Sequence, residues 1–181
     1  MGQRSQLFAT AINERDGQVS RQGRYYQWVW GPYMITRAAQ VARYLNAATE
    51  SGMIKRTRPD EFTAGVVATY GVNLTNGDVQ GLSADDDVSD LSLRECDNNN
   101  GVFLAHLDSD HHWSFLFMLP DGDTFKAVTT EQFLNLAIPP ERRSDDTVAA
   151  AVEVLLKAES EGHRMTVKTA EQVAYSVPAG R

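Results

Sequence analysis

The fold is decided by residues 102–128, which read VFLAHLDSDHHWSFLFMLPDGDTFKAV. Three apolar or aromatic runs, Val102–Leu107, Trp113–Leu119 and Thr124–Val128, alternate with two short polar segments rich in Asp, His and Gly. Aromatic and β-branched residues favour strands, whereas Asp, Ser and Gly are typical of turns. Because connections this short cannot be parallel crossovers, the three runs predict an antiparallel meander.

Two more strand-like runs stand near the N-terminus. Gln6–Ile12 is followed by the turn dipeptide Asp16-Gly17, which often closes a hairpin, and then by the aromatic run Arg24–Trp30. Gly31-Pro32 ends this run, and proline suits the first turn of a helix. The N-terminal segment therefore predicts a hairpin that leads into a helix.

Two substantial helices are predicted from apolar residues at helical spacing. The first stripe contains Met34, Ala38, Val41 and Leu45, and the second contains Val148, Val152, Leu155 and Leu156. Ala64–Leu74 is apolar and β-branched, with Gly65 and Gly71 as bends, and we do not count it as a helix. Strand runs without a strand–helix–strand rhythm predict an α+β fold, in which an antiparallel sheet of N-terminal strands and central meander packs with two main helices.

Length and composition indicate one domain over residues 1–181. The chain is 42% hydrophobic and 23% charged, as is usual for soluble globular proteins. A single cysteine, Cys96, excludes an intrachain disulfide and fits a reducing cytoplasm. No run has the length of a membrane span or a secretory leader. We expect a cytoplasmic protein with an acidic loop at about residues 76–100 and a frayed tail after Pro178.

Charge is distributed unevenly along the chain. Residues 1–60 carry a net charge of +5, residues 61–146 carry −12, and the whole chain carries −7. The acidic candidates for binding a partner are Asp85, Asp86, Asp87, Asp90, Glu95 and Asp97. Carboxylates spaced along a surface can imitate a DNA backbone and bind the basic groove of a nucleic-acid enzyme. The simpler interpretation is a solvated loop that keeps the protein soluble.

An arginine-rich aromatic patch near the N-terminus is the alternative binding site. Its candidate ligand-binding residues are Arg4, Arg24, Tyr26, Trp28 and Arg37. Guanidinium groups beside aromatic rings can hold a phosphate or a base. The simpler interpretation is a strand that packs its aromatic side chains into the core.

No motif predicts a catalytic residue, a metal or a cofactor. His106, Asp108, Asp110, His111 and His112 crowd one hairpin, but the sequence has no second cluster of ligands, so a solvated turn is the better interpretation. Cys96 lacks the surroundings of a known thiol nucleophile. GxSxG, P-loop and GxGxxG sequences are absent. The protein is therefore more readily a binding protein than an enzyme.

Three short segments resemble a group of small proteins encoded by bacteriophages and prophages. They are the start Met1-Gly2-Gln3-Arg4-Ser5-Gln6, the aromatic patch Tyr25-Tyr26-Gln27-Trp28 and the turn Asp97-Asn98-Asn99-Asn100-Gly101. The resemblance implies a bacterial host cell, and it supplies no catalytic residues to transfer. Small phage accessory proteins often bind and block host proteins, including defence enzymes, which is an argument from context alone.

These observations lead to three functional hypotheses. The first is a phage accessory protein that inhibits a host nucleic-acid-handling or defence enzyme through its acidic surface, without binding nucleic acid or membrane itself. The alternative is a protein that binds a nucleotide or small phosphorylated ligand at the arginine-rich aromatic patch. The third is a protein that associates with itself, because unlike ends of the charge pattern can pair head to tail.

Overall fold

A computed structural model of the protein describes residues 3–13, 15, 17–72, 80–82, 99–122 and 124–166. Its strands are β1 Arg4–Asn13, β2 Gln18–Gln27, β3 Gln80–Leu82, β4 Val102–Leu107, β5 Trp113–Asp121 and β6 Thr124–Val128. Its α-helices are α1 Gly31–Glu50, α2 Pro59–Tyr70, α3 Thr130–Ala137 and α4 Asp146–Ala158. Short 3-10 helices cover Met53–Arg56 and Pro140–Arg142, and a π-turn covers Glu159–His163. The α+β class is confirmed.

The described strands form one sheet in the order β3-β2-β1-β4-β5-β6. The predicted N-terminal hairpin and central meander are both present and antiparallel. The sheet is mostly antiparallel, as predicted, but the hairpin joins the meander through a parallel pair, in which β1 and β4 place Gln6 beside Val102. The long connection between these strands, which contains α1 and α2, gives the chain room to cross over.

Alternation along the strands gives the sheet two different faces. The helical face, which α1, α2, α3 and α4 cover, holds most of the core, including Leu7, Ala9, Phe103, Phe115 and Phe117. The second face carries a smaller apolar cluster of Phe8, Val102, Leu104, Leu116, Met118 and Met165. Every strand of the hairpin and meander thus contributes side chains to both faces.

Helix α2 was missed by the sequence analysis. Its buried residues Phe62, Val66 and Tyr70 recur every four residues, which is helical spacing. The composition of Ala64–Leu74 hid this pattern, because β-branched residues and two glycines are poor helix formers. Gly65 lies in the helix where the Tyr44 hydroxyl packs, since a Cβ there would be 2.4 Å from that oxygen.

The other predicted segments are the two main helices, the acidic loop and the C-terminal tail, and only some of them lie within the described residues. Helices α1 and α4 contain the two predicted apolar stripes. The predicted acidic loop at residues 76–100 lies outside the described residues except for 80–82 and 99–100, and so does the tail after Pro178. Among the helices of the described ranges, none has the length and hydropathy needed to cross a membrane.

Candidate functional site

The side chains that β2 contributes to the helical face are polar, whereas the rest of this face is mainly apolar. The register of β2 against β1 places Ser20, Gln22, Arg24 and Tyr26 on this face, opposite Ala11, Ala9, Leu7 and Ser5. Ser20 Oγ lies 2.7 Å from Thr63 Oγ1 of α2, and Gln22 Nε2 donates to the same oxygen over 3.2 Å. Helix α2 therefore meets β2 through hydrogen bonds, and the contact becomes aromatic only at its far end.

Two tyrosines form that far end. The Tyr26 and Tyr70 rings lie 5.4 Å apart, and both residues are buried. Burial raises the pKa of Tyr26 to about 12, against the opposing effect of Arg24 and Arg37. Burial, and then the neighbouring Tyr26, raise the pKa of Tyr70 still further. Both hydroxyls therefore stay protonated at neutral pH and can donate hydrogen bonds.

Arg24 and Arg37 supply the positive charge beside these hydroxyls. Arg24 donates to the Gly23 carbonyl over 2.8 Å, while Arg37 donates to the Val72 carbonyl just beyond α2. Within the described part of the chain, no carboxylate forms an ion pair with either guanidinium. Since a guanidinium carries five N–H donors, each arginine keeps donors for another group.

Two hydroxyls beside the arginines are buried without a hydrogen bond. Ser5 lies directly opposite Tyr26 in the β1–β2 register, and Ser5 and Tyr70 are both 0% exposed. Within the described residues, neither Ser5 Oγ nor Tyr70 Oη has a partner. A buried polar group left without a partner costs about 1–3 kcal/mol. We call Ser5, Arg24, Tyr26, Arg37 and Tyr70 the polar flank.

The structure therefore brings together three of the five predicted ligand-binding residues, Arg24, Tyr26 and Arg37. Arg4 stands opposite Gln27, one position from Ser5, so its side chain leaves the sheet on the second face. Trp28 follows β2 and is 55% exposed at the end of the strand. Ser5 was named beside Arg4 from the sequence, but the contribution of Tyr70 was missed, because only the helical register of α2 brings it to Tyr26.

The three segments that carry the phage-protein resemblance meet at one end of the sheet. The Asn99 side chain accepts a hydrogen bond from the Arg4 backbone N–H over 2.8 Å, and the Asn100 backbone N–H donates to the Arg4 carbonyl over 2.9 Å. The Trp28 backbone N–H donates to the carbonyl of Gln3. These contacts fix where β1, β2 and β4 begin or end, which is a structural role.

The predicted acidic surface cannot be placed in the same way. Asp85, Asp86, Asp87, Asp90, Glu95 and Asp97 all lie outside the described residues.

A polar row crosses the second face, remote from the polar flank. His106 Nδ1 lies 2.9 Å from Thr10 Oγ1, and Ser114 stands opposite His106 on β5. Burial lowers the pKa of His106, although Asp108 and the Thr10 hydrogen bond oppose this shift. Asp108 itself accepts the backbone N–H groups of Asp110 and His112, each over 2.9 Å, which ties the turn together. The described residues contain no group of three or more His, Cys, Asp or Glu able to hold a metal ion.

Two surface cavities lie away from the polar flank. A groove of about 490 Å³ runs between the β5–β6 hairpin and α3, next to Asn99 and Asn100. A smaller cavity of about 270 Å³ lies at the start of α2, between Arg56, Arg58 and the turn at Asp108–His111. Arg58 is occupied there by ion pairs with Asp60 and Glu61.

No protein-family model matches the chain, no curated protein matches it, and no solved structure matches it.

Proposed function

We propose that the protein binds a small phosphorylated ligand at the polar flank. The observation that carries this proposal is the pair of buried hydroxyls of Ser5 and Tyr70, which have no hydrogen-bond partner among the described residues. Both lie next to Tyr26, whose hydroxyl is near the guanidinium groups of Arg24 and Arg37. Native proteins seldom keep such hydroxyls without a use for them, because each one lowers the free energy of unfolding.

The chemistry of the polar flank selects the ligand. Its side chains offer hydrogen-bond donors and two positive charges, and the raised pKa of Tyr26 keeps that hydroxyl a donor. A phosphate is negatively charged and has several acceptor oxygens, so it can accept hydrogen bonds from more than one of these groups. Because Ser5 and Tyr70 are 0% exposed, a phosphate oxygen must displace the side chains that cover their hydroxyls and lose its own hydration before it gains their hydrogen bonds.

Titration calorimetry with inorganic phosphate, at constant ionic strength, tests the proposal. We expect the wild-type protein to bind phosphate and the Arg37→Gln variant to lose about tenfold or more in affinity, since a charge-assisted hydrogen bond contributes about 1.5–3 kcal/mol. The matched control is Arg43→Gln, which removes an exposed arginine from the same helix. Equal losses of phosphate affinity in both variants would show that binding depends only on the overall charge of the protein, and would contradict the proposal.

Inhibition of a host nucleic-acid-handling enzyme through the acidic residues remains a second proposal. It is supported by the net charge of −12 over residues 61–146 and, for a phage origin and a place in the bacterial cytoplasm, by the resemblance described above. A complex formed in this way is salt-sensitive. We expect a tagged protein to retain one dominant host protein at low salt, and to lose it when Asp85, Asp86 and Asp87 are all changed to Asn. Undiminished capture by that variant would remove the proposal.

A further inference from the structure

We infer that the ligand of the polar flank is a nucleotide, whose base stacks on the exposed aromatic side chains of Trp28 and Tyr33. This inference rests on the proposed phosphate site. It adds a recognition surface for a second part of the ligand, and that surface is formed by residues on both sides of the α1 N-terminus.

Trp28 combines an unfavourable backbone conformation with an exposed side chain. Its φ angle is +67°, in the left-handed region that bulky residues avoid, and its side chain is 55% exposed. Glycine would fit this backbone without strain, and a polar residue would suit the exposure. Strained residues of this kind cluster at ligand sites. Trp28 also lies only two residues beyond Tyr26, at the end of β2 where the polar flank begins.

Tyr33 brings a second exposed ring to the same region. It is 47% exposed in the first turn of α1, four residues before Arg37. Residues four apart on a helix are neighbours on its surface, so Tyr33 and Arg37 share one face of α1. A ligand whose phosphate is bound by Arg37 can therefore extend along this face toward the exposed ring of Tyr33.

A planar aromatic group is the ligand part that suits these rings. Stacking of a base on an aromatic side chain changes affinity by about 5- to 150-fold, and it tolerates any base because each one has a π-face. A sugar phosphate or inorganic phosphate lacks this group. The two rings thus distinguish a nucleotide from the simpler phosphates that the arginines alone accept.

Calorimetry with adenosine monophosphate, ribose 5-phosphate and inorganic phosphate tests the inference on the full chain. We expect the wild-type protein to bind adenosine monophosphate at least fivefold more tightly than ribose 5-phosphate. The double variant Trp28→Gly/Tyr33→Ser should lose this preference while its affinity for ribose 5-phosphate stays the same. The control is Leu156→Ser, which removes a 41% exposed apolar side chain from α4 and should keep the preference.

The outcomes separate this inference from the proposed function. Glycine relieves the backbone strain at residue 28, so we expect the double variant to fold, and its thermal unfolding is measured first. Equal binding of adenosine monophosphate and ribose 5-phosphate by the wild type, or a preference retained in the double variant, would overturn the nucleotide inference and leave the phosphate site standing. No binding of any of the three phosphates would overturn both.

Discussion

The helical face of the sheet contains two neighbouring regions that are built differently. The aromatic centre consists of Phe103, Trp113, Phe115, Phe117 and Phe133, all at most 1% exposed. Its rings pack on one another, with Phe117 and Phe133 only 4.2 Å apart. The polar flank begins at its border, where the Tyr70 ring stacks on Phe103 at 5.8 Å, yet it buries the hydroxyls of Ser5 and Tyr70 and contains the partly buried Arg24 and Arg37.

This difference indicates where stability is generated and where it is reduced. Close-packed aromatic rings gain from burial and from favourable ring geometry. The hydroxyls of Ser5 and Tyr70 lose their hydrogen bonds to water and gain none from the described residues. The aromatic centre therefore stabilises the fold by packing. We expect the hydroxyls of the polar flank to form favourable interactions only when a ligand is bound.

The largest expected loss of stability comes from a substitution in the aromatic centre. Phe117→Ala removes a ring that is 0% exposed and contacts Phe103 and Phe133, so we expect a loss of about 3–5 kcal/mol in the free energy of unfolding. Denaturant titration measures this loss. The control Leu136→Ala, at a 71% exposed position on α3, should change the free energy little. A small loss for Phe117→Ala would show that this region does not dominate stability.

A substitution at the start of α1 should have a smaller effect on stability and should also affect the polar flank. A Cβ on Gly31 would lie 2.2 Å from the Ala137 carbonyl oxygen, so Gly31→Ala must displace the start of α1 from the end of α3. We expect a loss of about 1–3 kcal/mol in unfolding free energy. The affinity for phosphate should fall as well, because α1 carries Arg37 to the polar flank. Unchanged stability would contradict the close contact between these helices.

The pH dependence of stability reports on histidines outside the polar flank. Burial lowers the pKa values of His106 and His163 in the folded protein, so the unfolded chain takes up protons first as the pH falls below about 6.5. Stability is then lost with falling pH, by at most about 1.4 kcal/mol per pH unit for each histidine, until the folded protein is protonated too.

Variants at His106 isolate its share of this loss. We expect His106→Gln to show a smaller drop in unfolding free energy between pH 7 and pH 5.5 than the wild type, measured by denaturant titration. His111→Asn, on the turn that Asp108 ties together, is the control and should keep the full drop. An identical pH profile for His106→Gln and the wild type would exclude His106 as a cause.

Much of the fold could be predicted because its strands and two of its helices carry clear local patterns. The runs at Val102–Leu107 and Trp113–Leu119 became β4 and β5, and the stripe from Met34 to Leu45 became α1. The parallel pairing of β1 with β4 was not predictable, since it depends on which strands meet across the long intervening segment. Helix α2 was hidden by Gly65, whose place in the helix depends on the Tyr44 side chain from α1.

The polar flank could be predicted only in part, because it too depends on contacts between residues far apart in the sequence. Arg24, Tyr26 and Arg37 were selected by residue type, and the structure brings them together on the helical face. Arg4 was grouped with them by closeness in sequence, but strand alternation directs it to the other face. Tyr70 gave no sign in the sequence, because its hydroxyl becomes part of the flank only through the register of α2 against β2.

The most direct test of this account is the Tyr70→Phe variant, measured for thermal unfolding without ligand and for phosphate affinity. Removing an unpartnered buried hydroxyl should leave stability unchanged or raise it by up to about 1 kcal/mol, while the affinity for phosphate falls. Tyr44→Phe, which removes the hydroxyl of a 39% exposed tyrosine on α1 outside the polar flank, is the control and should leave the affinity for phosphate unchanged. A Tyr70→Phe variant that is clearly less stable and binds phosphate as the wild type does would show that the hydroxyl serves the fold, and would contradict the account.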